Sequence, residues 1–246
     1  MMNLNSLLFA ILFLSWQAQA ALTIPGNLNG EERQRITEIL GLSTSSKMVG
    51  NPYPLGGYSG VELGLGIESV NTEDLNHFGN HVNQEKDFTY PLLSVGKGLY
   101  NNTDIFLHFI PYTQSAGFSE YGGLLRVGLY QAAFIPATLG LILHANSTNI
   151  GNVFFSQSRG IELVTGLNAG HFSLYLGGGQ IQASGRFSRA VNAVNPDQQT
   201  AIDESNLVAH PHWFAGGSFD IEPYFVAIQI DQYTQTMFSG KLGLRF

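Results

Sequence analysis

The sequence predicts an all-β chain: a closed antiparallel up-and-down transmembrane β-barrel of about ten strands, with eight or twelve as neighbouring counts, and a short helix before it. Three observations predict it. From residue 58 onward apolar and polar residues alternate in segment after segment, as in strands that show one apolar face. Only 12% of the 246 residues are charged, roughly half the fraction of an average soluble domain. Hydrophobic residues make up 44%, glycines number 29, and mean hydropathy is +0.05. A ribbon with lipid on one face and polar groups on the other averages to such values, whereas a secreted sandwich normally carries more surface charge. Finally, the connections alternate between long and tight, as they do when successive turns lie on opposite sides of a membrane.

The chain divides into residues 1–20, 21–57 and 58–246. The first stretch has an apolar core within Leu4–Trp16, too short for a spanning helix, and ends in Ala18-Gln19-Ala20. It reads as a signal peptide cut after Ala20, although no Lys or Arg precedes the apolar core. In 21–57, Asn29 is placed to cap a helix whose first turn carries Glu31 and Glu32 and whose C′ position falls on Gly41. Ile36, Ile39 and Leu40 form its apolar stripe, and a linker with Pro52 and Pro54 follows.

The predicted strands are 58–70, 88–100, 103–112, 120–132, 137–145, 159–167, 171–181, 207–219, 224–231 and 237–246. Long connections are expected at 71–87, 146–158 and 182–206, and tight ones near 101, 135, 169 and 221. An even strand count puts all the long ones on one side, and about ten residues per strand suits a tilted crossing. Tyr58, Tyr90, Tyr100, Tyr112, Tyr121, Phe134, Trp213, Tyr224 and Phe246 lie towards strand ends, where interfacial aromatic girdles are expected.

The last stretch, Met237–Phe246, places Phe238, Gly240, Leu242, Leu244 and Phe246 on one face and Ser239, Lys241, Gly243 and Arg245 on the other. This amphipathic strand ending in an aromatic residue resembles the closing strand of Gram-negative outer-membrane β-barrel proteins. The resemblance covers 58–246 and is architectural. It implies localisation in the cell outer membrane, with both chain ends and the helix periplasmic. It also implies contact with outer-membrane lipid and lipopolysaccharide, and Phe246 as the signal read by the barrel-assembly machinery. The helix is then either a plug or lid at the periplasmic mouth, or an extension packed on the rim.

The face opposite the leucines collects Glu62, Glu68, Asp104, Arg126, Glu162, Lys241 and Arg245, together with His108, His144 and His212. A charge facing lipid near the bilayer midplane costs about 2–4 kcal/mol, so these point inwards. Glu62 or Glu68 can pair with Lys241 or Arg245 where the first and last strands meet. The result is either a paired network that seals the lumen or the lining of a narrow pore. Inward Gly64, Gly66, Gly128, Gly166 and Gly243 leave room for the latter.

Little points to chemistry. No cysteine is present, which excludes disulfides and thiol catalysis, and a net charge of −7 without a basic run excludes a nucleic-acid partner. His171-Phe-Ser173 has the His-x-Ser form of lipid A deacylases but falls at a tight turn, on the wrong side. Omptin proteases resemble the chain in strand count alone. His210-Pro-His212 with His77 or His81 lacks a carboxylate to complete a metal site. No catalytic residue, cofactor or metal is expected. The leading expectation is a non-enzymatic surface, structural or porin-like protein that admits small solutes if it conducts. The alternatives are an adhesin or recognition protein, binding a surface ligand through loops 71–87 and 182–206, and an outer-membrane hydrolase of lipid or peptide.

Overall fold

The computed structural model describes residues 22–82, 86–100, 102–113, 117–132, 134–188 and 206–246. The expected signal peptide and most of the 182–206 connection lie outside them. Ten strands form one closed antiparallel barrel in sequence order: β1 (Val61–Asn71), β2 (Asp87–Gly98), β3 (Thr103–Thr113), β4 (Phe118–Gln131), β5 (Ala137–Ile150), β6 (Phe154–Ala169), β7 (Phe172–Phe187), β8 (Asn206–Ile221), β9 (Tyr224–Gln232) and β10 (Thr236–Arg245). β1 closes on β10 with Glu62 opposite Arg245 and Gly66 opposite Lys241.

The lipid-type face is clear. Leu63, Ile67, Ile161, Leu163, Leu174, Leu176, Val226 and Ile228 all point outwards and are exposed. Exposed Tyr58, Tyr100, Tyr130, Phe134, Phe172 and Tyr224 ring the end with the tight turns, and Tyr121, Trp213 and Phe238 lie towards the other. Tyr90 departs from the expected girdle. It points inwards, fully buried, and packs against Phe88 and Phe118.

One expected loop does not exist. β5 and β6 run on to Ile150 and Phe154, so the predicted connection 146–158 shrinks to a turn at 151–153. β7 likewise continues to Phe187. The misreading has a physical cause. Towards this end the alternation inverts: Ile150, Phe154, Ile181, Phe187 and Val208 point inwards and are buried. Ser147, Gln157, Arg159 and Arg186 point outwards on the same strands. Polar residues there mark strand that has left the apolar belt, not a loop.

The interior of that end is apolar because the N-terminal helix occupies it. Asn29 caps α1 (Gly30–Ile36) in a reciprocal box: Asn29 Oδ1 accepts from the Glu32 amide at 2.9 Å, and Glu32 Oε2 accepts from the Asn29 amide at 2.8 Å. A π-helical turn, Thr37–Leu42, continues it. Gly41 therefore lies within the helix rather than at the C′ position expected for it. Ile36, Ile39, Leu40 and Leu42 are buried in one cluster with Phe88, Phe118, Ile150, Phe154, Ile181, Phe187 and Met237.

The helix was expected at the short-turn mouth. It sits instead under the long-loop mouth, where its apolar stripe meets the inverted segments of β5–β8. From there residues 43–57 run down the lumen and emerge at the short-turn end to begin β1. We call residues 22–57 the strap.

Close approach makes two glycines structural. A Cβ on Gly166 would lie 2.2 Å from Pro52 Cγ, and one on Gly185 would lie 2.2 Å from Thr37 Oγ1. Gly166→Val should therefore expel Pro52 and cost about 1–3 kcal/mol. The measurement is the temperature at which a fast-migrating unheated gel band converts to the slow one. Gly240→Ala is the control, because the nearest atom to its Cβ lies 4.0 Å away. Equal conversion temperatures for both variants would refute the packing of the strap against β6.

Candidate functional site

The site is the lumen and the strap that fills it. Contacts along the strap follow chain order from one mouth to the other. At the long-loop mouth the Asn80 amide donates to Gly26 O at 2.9 Å, and the Gly79 amide donates to Glu32 Oε1 at 3.1 Å. Deeper in, Asn146 Nδ2 donates to Thr44 O, and Ser46 Oγ donates to Ala145 O at 3.0 Å. Ser45 Oγ lies 3.0 Å from Tyr233 OH. Lys47 Nζ meets Glu68 Oε2 at 2.5 Å and also donates to Ser43 O at 2.7 Å.

In the lower half Arg126 Nη1 donates to Asn51 O at 2.5 Å, and Asn51 Nδ2 donates to Asp220 Oδ2 at 3.0 Å. The Leu55 amide donates to Asp104 Oδ1 at 3.1 Å, and Tyr53 OH donates to Pro136 O beside a short turn. The strap is thus held through both its backbone and its side chains. An extended segment has no ladder of its own, and a buried unpaired backbone group costs about as much as a lost hydrogen bond.

All seven carboxylates and cations read from the sequence as inward-pointing face the lumen, and they fall into separate clusters. Glu62 is the hub of the seam, 2.6 Å from both Lys241 Nζ and Arg245 Nη2, and Arg245 Nη1 continues to Asp220 Oδ1 at 3.1 Å. Arg126, 2% exposed, binds Asp104 through Nε and Nη2 at 3.0 and 2.7 Å. Glu68 pairs with Lys47 and accepts from Tyr90 OH at 3.0 Å. Glu162 lies against His212 Nδ1 and 3.7 Å from His144 Nε2, while His212 Nε2 reaches Asp231 Oδ1 at 3.1 Å.

Lys47, Glu120, Asp220 and Asp231 were missing from the list of candidate residues. A lone lysine in a Ser/Thr-rich linker reads as solvated. The available clue was the surplus of inward carboxylates: Glu62, Glu68, Asp104 and Glu162 against Arg126, Lys241 and Arg245.

The glycines expected to leave room for a pore leave it for other parts of this chain. Gly166 and Gly128 admit Pro52 and Pro54, and the Lys241 stem lies over Gly64. A cavity of about 40 Å³ lies beside Lys47, Glu68, His108, Arg126 and Lys241. That is space for a few water molecules.

The described histidines do not form a hydrolytic triad in this arrangement. His108 Nε2 lies 3.4 Å from Ser46 Oγ and 3.3 Å from Glu120 Oε1. Both contacts use the same nitrogen, so the ring cannot relay a proton from hydroxyl to carboxylate as a triad does. His212 is taken up by Glu162 and Asp231 and stacks on Tyr233 at 4.1 Å, apart from the His77/His81 loop. Ser173 is buried and His171 bonds Asp220 O at 2.9 Å. Among the described residues no group of three or more His, Cys, Asp or Glu is arranged to hold a metal ion.

Removing one partner of a buried ion pair costs about 3–5 kcal/mol, because the other charge is left without compensation. Arg126→Met should show this in the urea midpoint of barrel unfolding, whereas Arg126→Met with Asp104→Leu should recover most of the loss. A double variant no better than the single one would show that Arg126 acts mainly through Asn51 O.

No protein-family model matches the chain, and no curated protein matches it. Among solved structures it is similar to the N-terminal β-barrel domain of Pseudomonas aeruginosa OprF, at 11% identity and a TM-score of 0.36, covering 77% of this chain and 99% of that one. It is similar to Ail, the attachment invasion locus protein of Yersinia pestis, at 14% identity and a TM-score of 0.30, covering 76% and 98%. It is also similar to neisserial surface protein A, at 10% identity and a TM-score of 0.27, covering 76% and 93%.

Proposed function

We propose that this chain is a non-enzymatic outer-membrane protein: a surface or structural barrel sealed from within by its own N-terminal strap. The observation that carries this reading is the strap's passage through the whole lumen, held at both mouths and between them. Outer-membrane residence is supported by the closed sheet, its apolar belt and its aromatic girdles. In this reading the long loops face outwards. The strap's first residues then reach the cell surface, and the short turns and C-terminus face the periplasm. The pore reading is compatible only with a strap that leaves.

A recognition role is favoured by one further observation. The connection 72–86 is anchored on the strap through Asn80 and Gly79, and it carries a short helical turn at Glu73–His77. Loop and α1 together form a fixed platform at the outer mouth, more suited to binding than a free loop is.

Two measurements test these points. In planar bilayers the full chain should give no discrete conductance steps, and a variant lacking 22–57 should give them. Steps from the full chain would sink the sealed-barrel reading. The absence of cysteine allows clean labelling. On intact cells, Glu31→Cys should react with a membrane-impermeant maleimide and Ile135→Cys should not. The reverse pattern would overturn the orientation.

A further inference from the structure

The charges of the lumen balance in one half and not in the other. Towards the short-turn end Glu62, Asp104 and Asp220 face Arg126, Lys241 and Arg245, three against three, and each of them sits in an ion pair. Higher up, Glu68 (β1), Glu120 (β4), Glu162 (β6) and Asp231 (β9) come from strands spread around the wall, and all four are buried. Among the described residues the one lysine or arginine in their midst is Lys47 of the strap. It meets Glu68 at 2.5 Å and is close enough to Glu120 and Asp231 to be attracted by both. His108, His144 and His212 lie against the same carboxylates without supplying a fixed charge.

Two of these carboxylates are incompletely satisfied. Glu120, 1% exposed, has Oε1 3.3 Å from His108 Nε2, but its Oε2 has no hydrogen-bond partner among the described residues. Asp231, fully buried, accepts at Oδ1 from Gln229 Nε2 at 2.7 Å, and its Oδ2 is left over in the same way. A buried carboxylate needs a counter-charge or donors. Lys47 cannot serve more of them, because its three N–H groups are already taken by Glu68 Oε2, Ser43 O and Ser45 O.

All four carboxylates belong to the wall, whereas Lys47 belongs to the strap. When the strap moves, they stay behind with water in place of their lysine. A ring of Asp and Glu around a lumen concentrates cations and repels anions. We propose that the barrel with its strap displaced conducts small monovalent cations, with Glu68, Glu120, Glu162 and Asp231 as the filter and Lys47 as the tethered cation that closes it. The proposal rests on the sealed-barrel reading. The carboxylates stand on different sides of the lumen, and no group of the described residues is arranged to hold a metal ion. An ion is therefore attracted without being trapped, as conduction requires. The lower half adds as many cations as carboxylates, so the selectivity comes from the upper ring.

The test uses the full chain in planar bilayers with a KCl gradient as the probe. Lys47→Glu adds a fifth carboxylate to the ring, and Lys47→Met, which removes the charge at similar length, serves where Lys47→Glu does not fold. Heat-dependent gel mobility shows which variants are closed barrels. The wild type should be silent. Both variants should give discrete steps and pass K⁺ about tenfold more readily than Cl⁻. Adding Glu120→Gln or Asp231→Asn to Lys47→Met should move that ratio towards one, while Glu222→Gln, exposed on a short turn, should not. Steps without cation preference, or a preference that neither Glu120→Gln nor Asp231→Asn lowers, would overturn the filter. Silence from closed barrels of the Lys47 variants would overturn Lys47 as the closing group. Steps from the wild type refute the sealed barrel, a failure distinct from that of the filter, which the K⁺ to Cl⁻ ratio alone decides.

Discussion

The interior of a closed barrel has to be filled, and in this one it is filled by irregular backbone. A ten-stranded sheet leaves more space than its inward side chains occupy, and residues 44–56 run through that space without belonging to helix or sheet. Backbone outside regular structure is tolerated at membrane depth only where protein or enclosed water satisfies it. Much of the lumen's chemistry meets this requirement. Asn146, Arg126 and Asp104 are buried polar residues whose side chains reach strap carbonyls or amides. Their polarity is therefore a property of the strap's path as much as of the strands that carry them.

The same constraint divides the barrel along its axis. Where the strap is helical its backbone is internally paired, and the surrounding wall can be apolar: Ile150, Phe154, Ile181 and Phe187 surround Ile36, Ile39 and Leu40. Where the strap is extended the wall carries the ion pairs, beside an apolar patch of Leu124, Ile142, Val164 and Phe214 around Met48. Outside, the strands show the opposite order, apolar around the ionic half and polar around the helix. The upper part is thus built like a soluble protein and the lower part inside-out, and the switch between them marks the upper edge of the outward apolar belt. Buried ion pairs gain little net stability after desolvation. Those at Glu62 contribute instead to register, because Lys241 and Arg245 meet that carboxylate when Gly66 faces Lys241 and Glu62 faces Arg245.

This division explains what could be read from the sequence. Most of the ten strands were legible from a run of outward apolar residues at period two, the second being the least regular, and the inward charges followed from the cost of exposing them to lipid. The upper halves of β5, β6 and β7 were lost because the reading equated polar outward residues with loops, when only the solvent outside had changed. The helix was found from Asn29, Glu32 and its stripe. Its position was misjudged because no local signal in 21–57 tells which end of a lumen it will fit. That information lies in Ile150, Phe154 and Phe187, more than a hundred residues away. Lys47 escaped for a related reason: its partner Glu68 belongs to another part of the chain, and pairing across a lumen leaves no spacing pattern.

Strap and seam are also linked through one cluster. Arg245, on the last strand, binds Glu62 on the first and Asp220 at the end of β8, and Asp220 in turn holds Asn51 of the strap. The strap's lower end continues through 57–60 directly into β1, so seating it places β1 beside its partner. A barrel that closed first would present its free N-terminal chain with a narrow lumen in which Glu68 lacks Lys47 and Asp104, though paired with Arg126, lacks the Leu55 amide. A strap seated before closure satisfies both carboxylates' strap contacts and brings Glu62 to Lys241 and Arg245 in one step. The geometry therefore favours closure around the strap over threading through a finished barrel. The buried charges then serve as a condition on assembly: the seam completes its ion pairs when the lumen is already filled.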